Sequence, residues 1–255
     1  MKRLGILCAV AALAGWGTLN AADGESIAES SVATAVATAG DGNSIFVNRL
    51  FQDLYGRNAA GSELSGYVED LKTGDITFPR VAAKLFEAPE FHDHAAFLVK
   101  LYIGLLNRDP DFNQWSQIFK VLRDGASEKD ALSAFLTTPE FAAAFPPSLD
   151  NEAMIAKLFQ QMFGRAPETA EMNRWVTELN QGIDRRDVVG ELLRSPEFES
   201  FVSNRVNATL VYMVFLRRSA NAGIIGPLAE SLQSGVSLAD VIASVLQSAE
   251  YGARS

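Results

Sequence analysis

Cysteine is nearly missing from this chain, which has one, Cys8, among 255 residues. A lone cysteine forms no internal disulfide, and Cys8 sits in the apolar stretch that opens the chain. Once that stretch is removed, no thiol nucleophile and no cysteine-based metal site remains. An exported protein without disulfides fits a bacterial rather than a eukaryotic source. Histidine is nearly as scarce: His92 and His94 are the only two. On a helix they would point about 200° apart, so they do not share a metal. We read His92-Asp93-His94 as a solvated helical stretch. Their closeness also leaves no separately placed histidine for a Ser/His/Asp triad.

Positive charge is the minority sign, with 22 Lys and Arg against 31 Asp and Glu and a net charge of -9. Such a surface repels phosphate backbones and anionic lipid, which argues against nucleic-acid partners. Long hydrophobic runs are missing too. Leu4 to Leu13 and Leu210 to Leu216 are the main ones, and both fall short of the roughly 20 residues that cross a bilayer. The chain lacks Gly-x-Ser-x-Gly, His-Glu-x-x-His and a phosphate-cradling glycine loop. Nothing singles out a carboxylate pair among its acids, so no catalytic residue is assigned.

What the chain does contain begins with an export signal. Lys2 and Arg3 precede Leu4–Leu13, and Leu19-Asn20-Ala21 is a small-residue cleavage site. Residues 1–21 are read as a signal peptide, whose removal takes the net charge from -9 to -11. Leu7 is too bulky to precede a lipidated cysteine. Residues 22–43, rich in Ala, Ser, Thr and Gly, read as a flexible leader, with a surface tether as the alternative. Order is expected from Ser44, a good N-cap.

From there one phrase recurs four times. A helix with apolar residues at helical spacing, such as Ile155, Leu158, Phe159 and Met162, runs into an arginine: Arg57, Arg108, Arg165 or Arg218. Ten positions on stand Tyr67, Ile118, Trp175 and Leu228, and seventeen on stand Gly74, Gly125, Gly182 and Gly235. The glycine suits a left-handed cap closing a second helix. A third helix follows, then an acid and an aromatic: Glu90-Phe91, Glu140-Phe141, Glu197-Phe198 and Glu250-Tyr251. Ser195-Pro196-Glu197 reads as a helix start, with cap, proline at the first position and acid facing the positive terminus.

The end of one copy therefore begins a helix that can enter the next. Pro89 to Asn107 and Pro196 to Arg217 permit this, whereas Pro146-Pro147 does not. The expectation is an all-α protein of four tandem three-helix repeats in two fused pairs, 44–145 and 148–255, hinged near Phe145 to Ser148.

Tyr55-Gly56-Arg57 with Tyr67, and Phe163-Gly164-Arg165 with Trp175 and Ser195-Pro196-Glu197-Phe198, resemble the bacterial domain-of-unknown-function family DUF4214. They are also similar to the linker domain of phycobilisome rods. The resemblance covers about residues 45–251. Copies two and four depart from it, with Asn107 for glycine, Trp115 three positions early, and Arg217 and Ala249 for glycine and proline. The family implies an all-helical module, often in exported proteins beside calcium-binding or surface-layer repeats, and no established chemistry. The linker likeness implies protein binding by analogy.

Three features are weighed as sites. The recurring Arg57, Arg108, Arg165 and Arg218 with Glu90, Glu140, Glu197 and Glu250 form either a ligand clamp or structural pairs. A feature present in every copy favours the structural reading. Asp109, Asp111 and Asn113 offer alternating oxygens for calcium, without the glycine and glutamate of an EF-hand loop; a polar turn is the alternative. Leu210–Leu216 is a buried central helix or a docking surface. The expected role is a non-enzymatic adaptor or structural module of the periplasm or extracellular space, with an unidentified protein partner, no cofactor and no membrane span after cleavage. A calcium- or glycan-binding module is the second expectation and an envelope polysaccharide hydrolase the third.

Overall fold

The computed structural model describes residues 42–219 and 221–254. The signal peptide, and the leader up to Asp41, lie outside the described residues. Among those described there are fourteen helices and no strand. In chain order they are α1 (Gly42–Tyr55), α2 (Gly61–Thr73), α3 (Phe78–Phe86), α4 (Pro89–Leu106), α5 (Phe112–Arg123), α6 (Glu128–Leu136) and α7 (Pro139–Ala144). The series continues with α8 (Asn151–Phe163), α9 (Thr169–Asn180), α10 (Arg185–Leu193), α11 (Pro196–Leu216), α12 (Ala222–Gln233), α13 (Leu238–Leu246) and α14 (Ala249–Gly252). The first helix starts two residues before Ser44, which lies inside it and not at its cap. Helix ends are the least determined part of a periodic pattern.

The residue before each recurring arginine is left-handed: Gly56 at φ 64°, Asn107 at 52°, Gly164 at 68° and Arg217 at 52°. Glycine takes this conformation freely and asparagine tolerably, while an arginine there is strained. The glycines seventeen positions past the arginines, Gly74, Gly125, Gly182 and Gly235, also have positive φ, from 79° to 109°. Both kinds of position end a helix by turning the chain so that following amides bond back to its last carbonyls, as Arg108 does to Tyr102 and Ala126 to Val121.

α4 and α11 run unbroken through the positions where continuous helices are expected, and α7 stops at Ala144 before the proline pair. The Leu149 amide donates to the Pro146 carbonyl at 2.9 Å and closes a turn there. Lys157 on α8 donates to the Ala144 carbonyl, and its ammonium lies 5.1 Å from the Phe145 ring centroid. These contacts tie the turn to α8.

The chain forms two compact units, and they differ from the expected halves. Among the described residues, one holds those from 42 to His92 together with those from Val211 on; the other is Asp93–Leu210. The first copy thus packs with the fourth, and the second with the third. Prolines stop a helix, but buried apolar faces decide what packs together. In the first unit α3 lies against α13, burying Val81, Leu85 and Phe86 on one and Val241, Ile242, Val245 and Leu246 on the other. In the second, α6 packs on α10.

Within the first unit Phe86 meets Phe91 at 5.4 Å and stacks on Phe215 at 6.2 Å. Arg254 donates to the Phe215 carbonyl and pairs with Asp53 at 2.7 Å, while Arg49 donates to the Tyr251 carbonyl at 3.0 Å and lies over its ring. These contacts fasten α14 to α1. Within the second unit the rings of Tyr102 and Phe135 meet edge to face at 5.0 Å, as do Phe163 and Phe198 at 6.0 Å. Leu210 to Leu216 of α11 are all buried.

Candidate functional site

The recurring arginines form one arrangement, seen in its fullest version at Arg165. Its guanidinium follows the left-handed Gly164, which turns the side chain back along α8. It lies 5.2 Å from the ring centroid of Phe159, six positions earlier. Two carboxylates then take its donors in pairs: Glu171 at 2.7 and 2.9 Å, and Glu197 at 2.8 Å through both Nε and Nη2. Glu171 also accepts the Glu168 amide at 2.7 Å, so it caps α9 while holding the arginine. One guanidinium thereby joins the end of α8, the start of α9 and the start of α11.

Arg57 repeats this with Glu63 at 2.8 Å and Glu90 at 3.4 Å, over Phe51. Arg108 keeps Glu140, bidentate at 2.7 Å, over Tyr102, but has Gln114 where Glu63 and Glu171 stand. Arg218 keeps Glu250 over Tyr212, and Ile224 occupies the remaining position. The ring six positions before each arginine and the acid six positions after it were not singled out above. The register shows both: Phe51, Tyr102, Phe159 and Tyr212 before; Glu63 and Glu171 after. A first-turn glutamate passes for an ordinary capping residue until its second partner is seen.

These acids are strong. The bidentate bond from Arg57, helped by the Ala60 amide, brings the Glu63 carboxyl down to about 2. Hydrogen bonds from Arg108, Arg165 and Arg218 likewise lower Glu140, Glu171 and Glu250. A folded-state value below the unfolded one adds stability that is complete above the ordinary glutamate range, near 4.5, and is lost as pH falls toward 2. The urea midpoint should therefore hold level from pH 7 to about 5 and then decline toward pH 2–3. The paired substitution Arg57→Gln and Arg165→Gln should flatten that decline. An unchanged acid profile in the double variant would mean that other carboxylates carry it.

Asp109, Asp111 and Asn113 are engaged by the second unit. Asp109 accepts from Arg205 at 3.0 and 3.1 Å and from Thr209 at 3.1 Å. Asp111 caps α5, accepting the Asn113 and Gln114 amides at 2.8 and 3.3 Å. Among the described residues no group of three or more His, Cys, Asp or Glu is placed to hold a metal. His92 and His94 lie on α4 with the exposed Asp93 between them: His92 packs edge-on to Phe86, and His94, 39% of whose side chain is exposed, has Nδ1 3.4 Å from Glu128. Trp115, early in its copy, is buried, and its indole donates to the Ala95 carbonyl at 3.3 Å.

Residues 135–202 match the model of the family described as Domain of unknown function (DUF4214). That span contains the third copy with Arg165, Glu171 and Glu197. No curated protein and no solved structure matches the chain.

Proposed function

We propose that this protein is an exported, non-enzymatic scaffold that joins other proteins in the bacterial envelope or outside the cell. The observation that carries the reading is the engagement of the recurring charged residues. Arg57, Arg108, Arg165 and Arg218 each bind carboxylates of their own unit, so the features common to the copies hold helix ends together. Resolved carboxylate shifts such as those of Glu63, Glu140, Glu171 and Glu250 run downward, which suits ion pairing and not proton donation near neutral pH. No helix among the described residues is long and apolar enough to cross a membrane. Lys2, Arg3 and the apolar run ending at Leu13 support export.

The test has two parts. The full chain, expressed in a bacterium, should be recovered from the periplasm or medium with its N-terminus at Ala22; recovery of the intact chain in the cytoplasm would refute export. Crosslinking in the native envelope should then identify a neighbour that binds the purified chain with a Kd in the micromolar range. A chain that crosslinks to nothing would refute the scaffold.

A further inference from the structure

Each unit carries an open groove where its two third helices meet. In the first unit it lies between α3 and α13 and is lined by Ala83, Lys84, Glu87 and Ala239, among others. In the second it lies between α6 and α10, with α9 along one side, and measures about 630 Å³. That volume falls within the roughly 300–1,000 Å³ of small-ligand clefts. A groove in both units is an ordinary result of packing two copies. What differs is the lining. In the common register Gly190 and Arg194 of α10 stand where α3 has Ala83 and Glu87, and Lys129 of α6 stands where α13 has Ala239.

The helical Gly190 has a cost. Glycine inside a helix is about 1 kcal/mol worse than alanine. Here a Cβ would come 3.2 Å from an Arg194 guanidinium nitrogen and 3.4 Å from Leu132. Its absence lets Arg194 fold back, donating to the Gly190 carbonyl at 3.2 Å and to Glu128 at 2.9 Å. Around it Arg174 bridges Glu178 and Glu191 at 3.0 and 2.5 Å, and Lys129 and Arg186 share Asp187. The floor is carbon, from Leu132, Leu192 and the buried Trp175.

The charge balance selects among ligands. Four cations line the groove, and four carboxylates pair with them, Asp187 and Glu191 in the lining and Glu128 and Glu178 behind it, so the local net charge is close to zero. An acidic ligand would have to displace those carboxylates. A sugar ring would not, because every hydroxyl both donates and accepts, and a row of guanidinium–carboxylate pairs offers both roles side by side. The ring's C–H face suits the leucine floor.

We propose that the groove between α6, α9 and α10 is a binding site for a short neutral oligosaccharide. This goes beyond the scaffold reading and does not depend on it.

The experiment is calorimetric titration of the full chain with cellotetraose, maltotetraose and the N-acetylglucosamine tetrasaccharide, beside a tetraglutamate peptide. At least one neutral sugar should bind saturably, and Lys129→Ala with Arg186→Ala should weaken it tenfold or more. These are exposed or half-buried side chains, so the thermal midpoint should be little changed; a variant that unfolds early is replaced by Arg174→Gln with Glu191→Gln. Absence of saturable sugar binding would overturn the proposal. So would binding undiminished in the variants, or preference for the peptide.

Discussion

Replacing Arg254 with alanine is expected to destabilise the first unit by about 3–5 kcal/mol, the range for removing one partner of a buried ion pair. The Asp53 side chain is only 4% exposed, and Arg254 is its ion partner at 2.7 Å. Its second oxygen, Oδ2, already lacks a hydrogen-bond partner in the structure. Without Arg254 the carboxylate stays buried with no compensation, and the segment after α14 loses its bond to the Phe215 carbonyl as well. Urea denaturation of both proteins checks this, provided the slope of the transition is unchanged. The double substitution Asp53→Asn with Arg254→Ala should recover part of the loss, because the buried group is then neutral. If Arg254→Ala stays within about 0.5 kcal/mol of the parent, as surface substitutions usually do, the pair is not a buried one in solution.

Gly104→Leu should cost about 3 kcal/mol or more, at the upper end of what overpacking a filled core does. Gly104 lies inside α4, where alanine would be favoured by about 1 kcal/mol if space were the same. Space is not the same. A Cβ there would stand 2.8 Å from Cζ of Phe198 and 3.3 Å from Leu193. Phe198 is fully buried, so its ring has nowhere to move. The close approach of α4 and α11 within the second unit therefore depends on this glycine. A double-mutant cycle with Phe198→Leu tests the cause: the two substitutions should be strongly non-additive, the smaller ring making room for the larger residue. Additive losses would place the damage elsewhere.

How far could the chain be read before its structure? Local features were accessible because local rules govern them. The left-handed glycines, the unbroken α4 and α11, and the stop before Pro146 each follow from steric limits on one or two residues. Which copy packs with which was not accessible. The apolar faces of α3, α6, α10 and α13 are alike in kind, so nothing nearby states that α3 meets α13. The prolines at 146 and 147 looked like a boundary because they interrupt a helix, yet Lys157 secures that turn inside the second unit. Likewise Glu63 and Glu171 were visible as first-turn acids, but their bond to arginine is a tertiary fact.

The interleaving of the two units dictates an order of assembly. A ribosome delivers α1, α2 and α3 first and α13 nearly last, with all of Asp93–Leu210 in between. The second unit has its whole sequence before the first receives its last part, from Val211 on. Until then Val81, Leu85 and Phe86 lack the helix that covers them, and an incomplete apolar face of this kind invites aggregation. Maturation of the first unit waits on contacts more than 150 residues apart along the chain, such as Arg49 with Tyr251 at a separation of 202. Closing loops of that span makes it the slow step in reaching the native state.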